Sequence, residues 1–260
     1  YIGIDKRGAN SEKLKSFNLI DRNLTFGTLE TYSPGLIIHC GTFSALAYKN
    51  NFLKSFKEDT TVLINFLEFL KRNPLTRFIF FSSSYVYSGI SNEEPYDERA
   101  ILRPEHNFGV AKLFFEQFII RNHPNSVIFR LSSVFGAGSQ RHPNAIKGMI
   151  EQSFSEGTIE VWGKGARKMQ YVHIDDVIDI TIDGDSMAPG IYNLGGNNYT
   201  SVSKTAELIA SETSARVKFI DQKSEGDTLP FMSIDKLKDA LSGKTPKPFE
   251  SALTQYIKSF

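Results

Sequence analysis

The stretch 78-FIFFSSSYVYSG-89 joins an apolar run to three serines and an aromatic turn. A near-continuous apolar run of this kind fits a strand covered on both faces, as in a parallel sheet. Hydroxyls at the carboxyl end of such a strand stand where open α/β sheets bind ligands. Serine is also common at strand ends as a cap for the next segment, so the stretch defines a strand before it defines a site.

The same texture recurs in 1-YIGID-5, 36-LIIHC-40, 77-RFIFFS-82 and 127-VIFRLSS-133. Between them, 56-FKEDTTVLINFLEFLKRN-73 carries apolar residues at helical spacing and stops before Pro74. A second helix is predicted over 107–121, ended by Asn122, His123 and Pro124. This alternation predicts an α/β fold with a doubly wound parallel sheet of Rossmann type. After Gly136 the elements shorten, with glycines at 163, 165, 195 and 196 and helical patterns around 203–213 and 249–259. The expected organisation is a first domain over 1–135 and a smaller α/β lobe over 136–260, with 171–183 returning to the first domain.

Composition narrows the function classes. Among 260 residues the net charge is +1, and no basic block stands clear of neighbouring acids, which argues against a nucleic-acid or membrane surface. No apolar run is long enough to span a bilayer, and the first residues carry no signal-peptide pattern. The single cysteine, Cys40, allows no internal disulfide and fits a reducing, cytoplasmic setting; it is expected to be a small buried residue. Five histidines and one cysteine show no metal-ligand spacing.

The chain opens on Tyr1, already inside a strand that ends at Asp5. An acidic strand tip accepts hydrogen bonds from an adenosine ribose roughly 20 residues after a glycine-rich turn. That turn and its strand are expected upstream of Tyr1. Two further segments add chemistry. In 104-PEHNFGVAK-112, Phe108 lies one helical turn before Lys112. A tyrosine at 108 would have its phenol pKa lowered by that ammonium and so serve as an acid or base near neutral pH. Phenylalanine has no hydroxyl. Read alone, Lys112 is a solvated helix lysine paired with Glu116 at i+4. The segment 129-FRLSSVFGAG-138 is another strand ending in hydroxyls and a glycine turn, and 163-GKGARKMQYVHIDDV-177 sets cations before a strand and a helix that Asp175 or Asp176 would cap.

In order and spacing, Asp5, Asn18 in 17-FNLID-21, 38-IHCGT-42, 82-SSSYVY-87, 108-FGVAK-112, 130-RLSSVFG-136, 171-YVHIDD-176, 191-IYNLGG-196 and 245-TPKPFESAL-253 resemble the extended short-chain dehydrogenase/reductase family of nucleotide-sugar epimerases, dehydratases and 4-ketoreductases. The resemblance implies a catalytic trio of Ser83, a tyrosine whose place is held by Phe108, and Lys112. Ser83 would bind the reacting oxygen, and Lys112 the nicotinamide ribose. It places the cofactor against Asp5, Lys6, Asn18, Leu19, Cys40, Gly41, Thr42, Lys112 and Leu131, and the substrate against Ser84, Tyr85, Ser133, Arg167 and Lys168. The carboxylate of Asp5 favours NAD, while Lys6 and Arg7 leave NADP open. It also implies a homodimer through the helices at 56–73 and 107–121.

The departures matter as much. Met169 stands where many members have a phosphate-binding arginine, and Ser224 where they have a second. The turn after Ser83 lacks the acidic pair of the 4,6-dehydratases, which leaves an epimerase or a 4-ketoreductase acting on a nucleotide sugar or keto sugar. Phe108, whether engineered or natural, implies low turnover. The other reading is a non-catalytic NAD(P)-binding sensor or scaffold of the same fold.

Overall fold

Strands that carry their apolar residues in short runs and helices that carry them as stripes alternate through the chain. A computed structural model describes residues 1–7, 10–90, 95–138, 145–226 and 228–260. In chain order these are β1 (Gly3–Asp5), β2 (Leu14–Ser16), α1 (Arg22–Tyr32), β3 (Leu36–His39), α2 (Ala45–Asn50), α3 (Phe52–Arg72) and β4 (Arg77–Ser83). A 3-10 turn at Ser84–Tyr87 leads towards α4 (Asn107–Asn122), β5 (Ser126–Leu131), β6 (Ser133–Phe135) and α5 (Ala145–Glu156). There follow β7 (Thr158–Trp162), β8 (Lys168–His173), α6 (Ile174–Asp183), β9 (Gly190–Leu194) and β10 (Tyr199–Ser201). The chain closes with α7 (Val202–Thr213), β11 (Arg216–Ile220), α8 (Asp235–Ala240) and α9 (Phe249–Ile257).

One sheet has the order β3-β4-β5-β9, with β3 and β4 parallel from Leu36↔Arg77 to His39↔Phe80. Parallel β1 and β2 form a separate pair. Later strands make β10-β8-β6, with β8 antiparallel to β10 and parallel to β6, and the parallel pair β11-β7. Contacts divide the chain into one compact unit of 1–86, 104–129 and 188–191 and another of 87–103, 130–187 and 192–260. The stretch 171–183 lies in the second unit, and the unit boundaries cut β5 and β9.

The first unit's core is aromatic. Phe66, Leu63 and Leu70 of α3 meet Phe78 and Phe80 of β4 and Phe115 and Ile119 of α4. His39 sits among them, its ring centroid 5.0 Å from Phe66 and 5.9 Å from Phe80. Burial, aided by the charge of Lys112, lowers its pKa to about 3, so it is neutral at physiological pH. The second unit packs Phe135, Ile150, Val161, Ile209, Phe249 and Leu253 together. There, buried Arg130 donates to the Tyr87 hydroxyl at 2.6 Å, and Tyr87 donates to Asn193 Oδ1 at 2.9 Å. Tyr87 is thereby committed to structure.

Several expectations are corrected. The run 127–133 is divided at Ser132, between β5 and β6, and the Ser132 N–H donates to the Leu194 carbonyl. The long helix begins at Phe52, since Asn51 accepts from the Lys54 N–H and caps it earlier. Neither Asp175 nor Asp176 caps α6: His173 Nδ1 accepts from the Asp175 N–H at 3.2 Å, which leaves both acids in the first turn. β4 is covered on both faces, with Phe78, Ile79 and Phe80 each 1 % exposed or less, but Ile38 in β3 is 41 % exposed. Alternation along β3 buries Ile37 and His39 and turns Ile38 outward.

Gly109 decides how closely α4 approaches the turn after β4. A Cβ there would fall inside van der Waals contact with the Tyr85 backbone carbonyl. Alanine gains about 1 kcal/mol in helix propensity, while overpacking against backbone costs roughly 1–3 kcal/mol or more. Gly109→Ala should therefore be destabilising, seen as a lower urea midpoint. A midpoint equal to or above wild type would contradict this packing.

Candidate active site

The site grows from α4. Phe108, Lys112 and Glu116 are one turn apart and share its inward face. Lys112 is 3 % exposed, so the reading of a solvated surface lysine paired with Glu116 is overturned. Its Nζ donates to Thr42 Oγ1 at 2.8 Å and to the Phe81 carbonyl at 2.7 Å. It also lies 4.7 Å from the Phe80 ring centroid and 5.4 Å from that of Phe108. Glu116 is itself buried and accepts from the Ser82 hydroxyl. Burial lowers the Lys112 pKa to about 8, against the opposing pull of Asp59, Glu116 and Cys40.

Asp59 of α3 was not anticipated. It is 3 % exposed and accepts from the Tyr48 hydroxyl at 2.8 Å and from the Phe43 N–H at 3.2 Å. It thus fixes the residue that follows Thr42. Burial raises its pKa, while the bonds from Tyr48 and Phe43 and the charge of Lys112 pull it down. Burial and the Asp59 charge push the Tyr48 phenol well above its usual range. The available signal was an acid within the apolar stripe of α3, one turn from Ser55 and Val62–Leu63.

The serine turn lies beside this lysine. Phe81, whose carbonyl Lys112 holds, is two residues before Ser83. Ser83 Oγ accepts from the Tyr85 N–H at 3.3 Å, Ser84 is buried, and Tyr85 is half-buried. The rings of Tyr85 and Phe108 meet edge-on at 5.6 Å. Thr42, Ser83, Tyr85, Phe108 and Lys112 therefore form one continuous set of neighbours in the first unit.

Other candidates stand apart from it. Asp5 Oδ1 accepts from the Arg7 N–H at 2.8 Å, with a half-exposed carboxylate at the end of β1. Lys6 Nζ lies 5.5 Å from the Phe43 ring. Asn18 accepts from the Ile20 N–H, and the Leu19 carbonyl accepts from Asn65 at 2.8 Å. Gly41 packs beside His39. Cys40 is exposed, which corrects the expectation of a buried thiol: it follows the last residue of β3, outside the covered strand. In the second unit Leu131 ends β5, and Ser133 pairs with Tyr171. Arg167 donates its backbone N–H to Glu225 Oε2 at 2.6 Å, and its buried Nε has no partner among the described residues. Lys168 is exposed, 5.7 Å from the Tyr199 ring.

A dinucleotide fits the first unit. An ammonium carries three N–H donors, and Thr42 and Phe81 engage two of them at Lys112. Asp5 offers a carboxylate at a strand tip. These features fit a nucleotide-binding α/β fold with a buried lysine one turn after Phe108. The NAD dependent epimerase/dehydratase family pattern matches residues 1–195, and the chain belongs to that family.

Relatives agree on the fold. UDP-glucose 4-epimerase of Thermotoga maritima, solved with UDP-glucose, superposes with a TM-score of 0.85 at 18% identity, covering 98% of this chain and 88% of that one. The Thermus thermophilus UDP-glucose 4-epimerase in complex with NAD gives 0.85 at 15% identity, covering 98% and 89%. Methionine adenosyltransferase 2 subunit beta of Xenopus laevis is 22% identical over 93% of this chain and 69% of its own length. A Methanocaldococcus jannaschii relative is 25% identical over 63% of this chain, which spans 56% of that relative's length.

The buried lysine has a pH signature. Unfolded, Lys112 keeps its proton up to about 10.5; folded, it releases it at about 8. Between those values the unfolded state binds more protons, so this residue makes stability rise with pH. Wild type should gain on Lys112→Met by at most about 3 kcal/mol across that window in urea denaturation. A difference flat with pH would contradict a buried ammonium.

Proposed function

We propose that the protein is an NAD-dependent epimerase or 4-ketoreductase acting on nucleotide sugars by hydride transfer at a sugar carbon. The observation that carries the reading is Lys112, buried one turn after position 108 and held by Thr42 and the Phe81 carbonyl. Bound NAD supplies the hydride acceptor or donor. Asp5 takes ribose hydroxyls, with Lys6, Asn18, Leu19, Cys40, Gly41 and Thr42 along the cofactor, and the remaining Lys112 donor takes the nicotinamide ribose. Ser83 holds the reacting oxygen, and Ser84 and Tyr85 line the sugar. Arg167 Nε, without a partner among the described residues, and Lys168 support a diphosphate contact in the second unit. Lys6 and Arg7 beside Asp5 keep NADP as the second cofactor. The first unit is the dinucleotide-binding part and the second the substrate lobe. A cytoplasmic setting fits the lone cysteine.

Phe108 keeps the ring and lacks the oxygen, so turnover is low. A second reading, a non-catalytic NAD-binding subunit, is favoured by Phe108 and by the 93% coverage against a protein named as a subunit of methionine adenosyltransferase. Ser83 and Lys112 both being present favours the enzyme.

Phe108→Tyr should raise turnover by on the order of 10²–10⁴-fold, measured on UDP-glucose and UDP-glucuronic acid with NAD and on 4-keto sugars with NADH. If the tyrosine form is equally inert while both chains bind NAD in calorimetry, the catalytic reading falls. We also propose a homodimer through α3 and α4, where Ile64, Val110 and Phe114 are 40%, 45% and 42% exposed. Light scattering should give a dimer mass that Phe114→Glu halves; a monomeric wild type would contradict it.

A further inference from the structure

We infer that the Tyr85 phenol carries the proton that Phe108 cannot. The inference rests on the nucleotide-sugar reading above and gives that same site its proton-transfer group. Among the described residues two phenol rings meet the Phe108 ring, Tyr48 and Tyr85, each edge-on with centroids 5.6 Å away. They are not equivalent. Tyr48 is 1 % exposed and donates its hydroxyl to Asp59 at 2.8 Å. Releasing that proton would leave a phenolate buried beside a carboxylate, which low local polarity penalises heavily. Tyr48 is locked.

Tyr85 differs in each respect. It is half-buried and sits on the turn that carries Ser83, whose Oγ receives the Tyr85 N–H at 3.3 Å. The absence of a side chain at Gly109 lets the Tyr85 carbonyl pack directly on α4, so its backbone is fixed against the helix that bears Phe108 and Lys112. His106, which precedes the first residue of α4, stands edge-on to Tyr85 at 5.2 Å. The Tyr85 residue thus joins the turn that carries Ser83, through its backbone N–H, to the ring at position 108, through its own ring.

The step balances as follows. When a sugar carbinol is oxidised, its C–H bond breaks and the electron pair leaves with hydride to NAD. Its O–H proton passes to the Tyr85 oxygen, which has released its own proton to solvent before the step, and a carbonyl forms. In the return direction the hydride re-adds to carbon and the Tyr85 O–H protonates the resulting alkoxide. Tyr85 then has a catalytic role beyond contact with the sugar.

The test compares wild type, Tyr85→Phe, Phe108→Tyr and the double variant, using UDP-glucose and UDP-glucuronic acid with NAD and calorimetry of NAD binding alongside. Tyr85→Phe should lower residual wild-type kcat on the order of 10²-fold, remove a limb of the pH–rate profile, and leave the NAD affinity unchanged. Adding Phe108→Tyr to Tyr85→Phe should restore turnover, which a merely structural defect would not permit. If Tyr85→Phe turns over like wild type, or wild type is inert while Phe108→Tyr is active, the Tyr85 role is overturned and the enzyme reading stands. If neither wild type nor Phe108→Tyr turns over, the enzyme reading fails and this inference with it.

Discussion

Keeping the Lys112 ammonium inside the protein is the constraint on which the first unit depends. Removing such a charge from water costs several kcal/mol unless it is paired and hydrogen-bonded. The chain meets that cost with the Thr42 hydroxyl, the Phe81 carbonyl and the faces of Phe80 and Phe108. Buried Asp59 and Glu116 add negative charge nearby. Each contact fixes something further. Thr42 leads from β3, and Asp59 pins its neighbour Phe43; Phe81 sets the end of β4, where the serines begin; Gly109 brings α4 close enough for all of it.

The chemistry follows from the same arrangement. A lysine held this way is set against position 108, and that position offers a ring without a hydroxyl. The surrounding groups still suit a reacting oxygen: a serine on the adjoining turn, and a second phenol in contact with the replaced ring. The lysine and its charged surroundings are in place, and position 108 offers no hydroxyl.

Much of this was legible from pattern alone. The apolar run of β4 and the stripes of α3 and α4 announced themselves, because burial on both faces or on one stripe leaves a periodic mark. Phe108 and Lys112 could be paired by spacing, since a helix places residues four apart on one face. What could not be read was set by contacts distant in sequence. The Lys112 partners, Thr42 and Phe81, lie 70 and 31 residues away. Without them the lysine looked solvated and matched to Glu116. The role of Asp59 depends on Tyr48 and Phe43, 11 and 16 residues away in sequence. His173 took the α6 cap because its imidazole accepts a hydrogen bond where an aspartate was the expected choice. Cys40 and Ile38 are exposed because the cover of a strand is a property of its neighbours and not of its own residues.

The most direct test is an NMR titration of the Lys112 side-chain nitrogen in the folded protein, assigned by its loss in Lys112→Met. The account predicts a midpoint near the value of about 8 set by burial. A midpoint at the ordinary lysine value of about 10.4 would contradict it, because burial would then not outweigh the neighbouring acids.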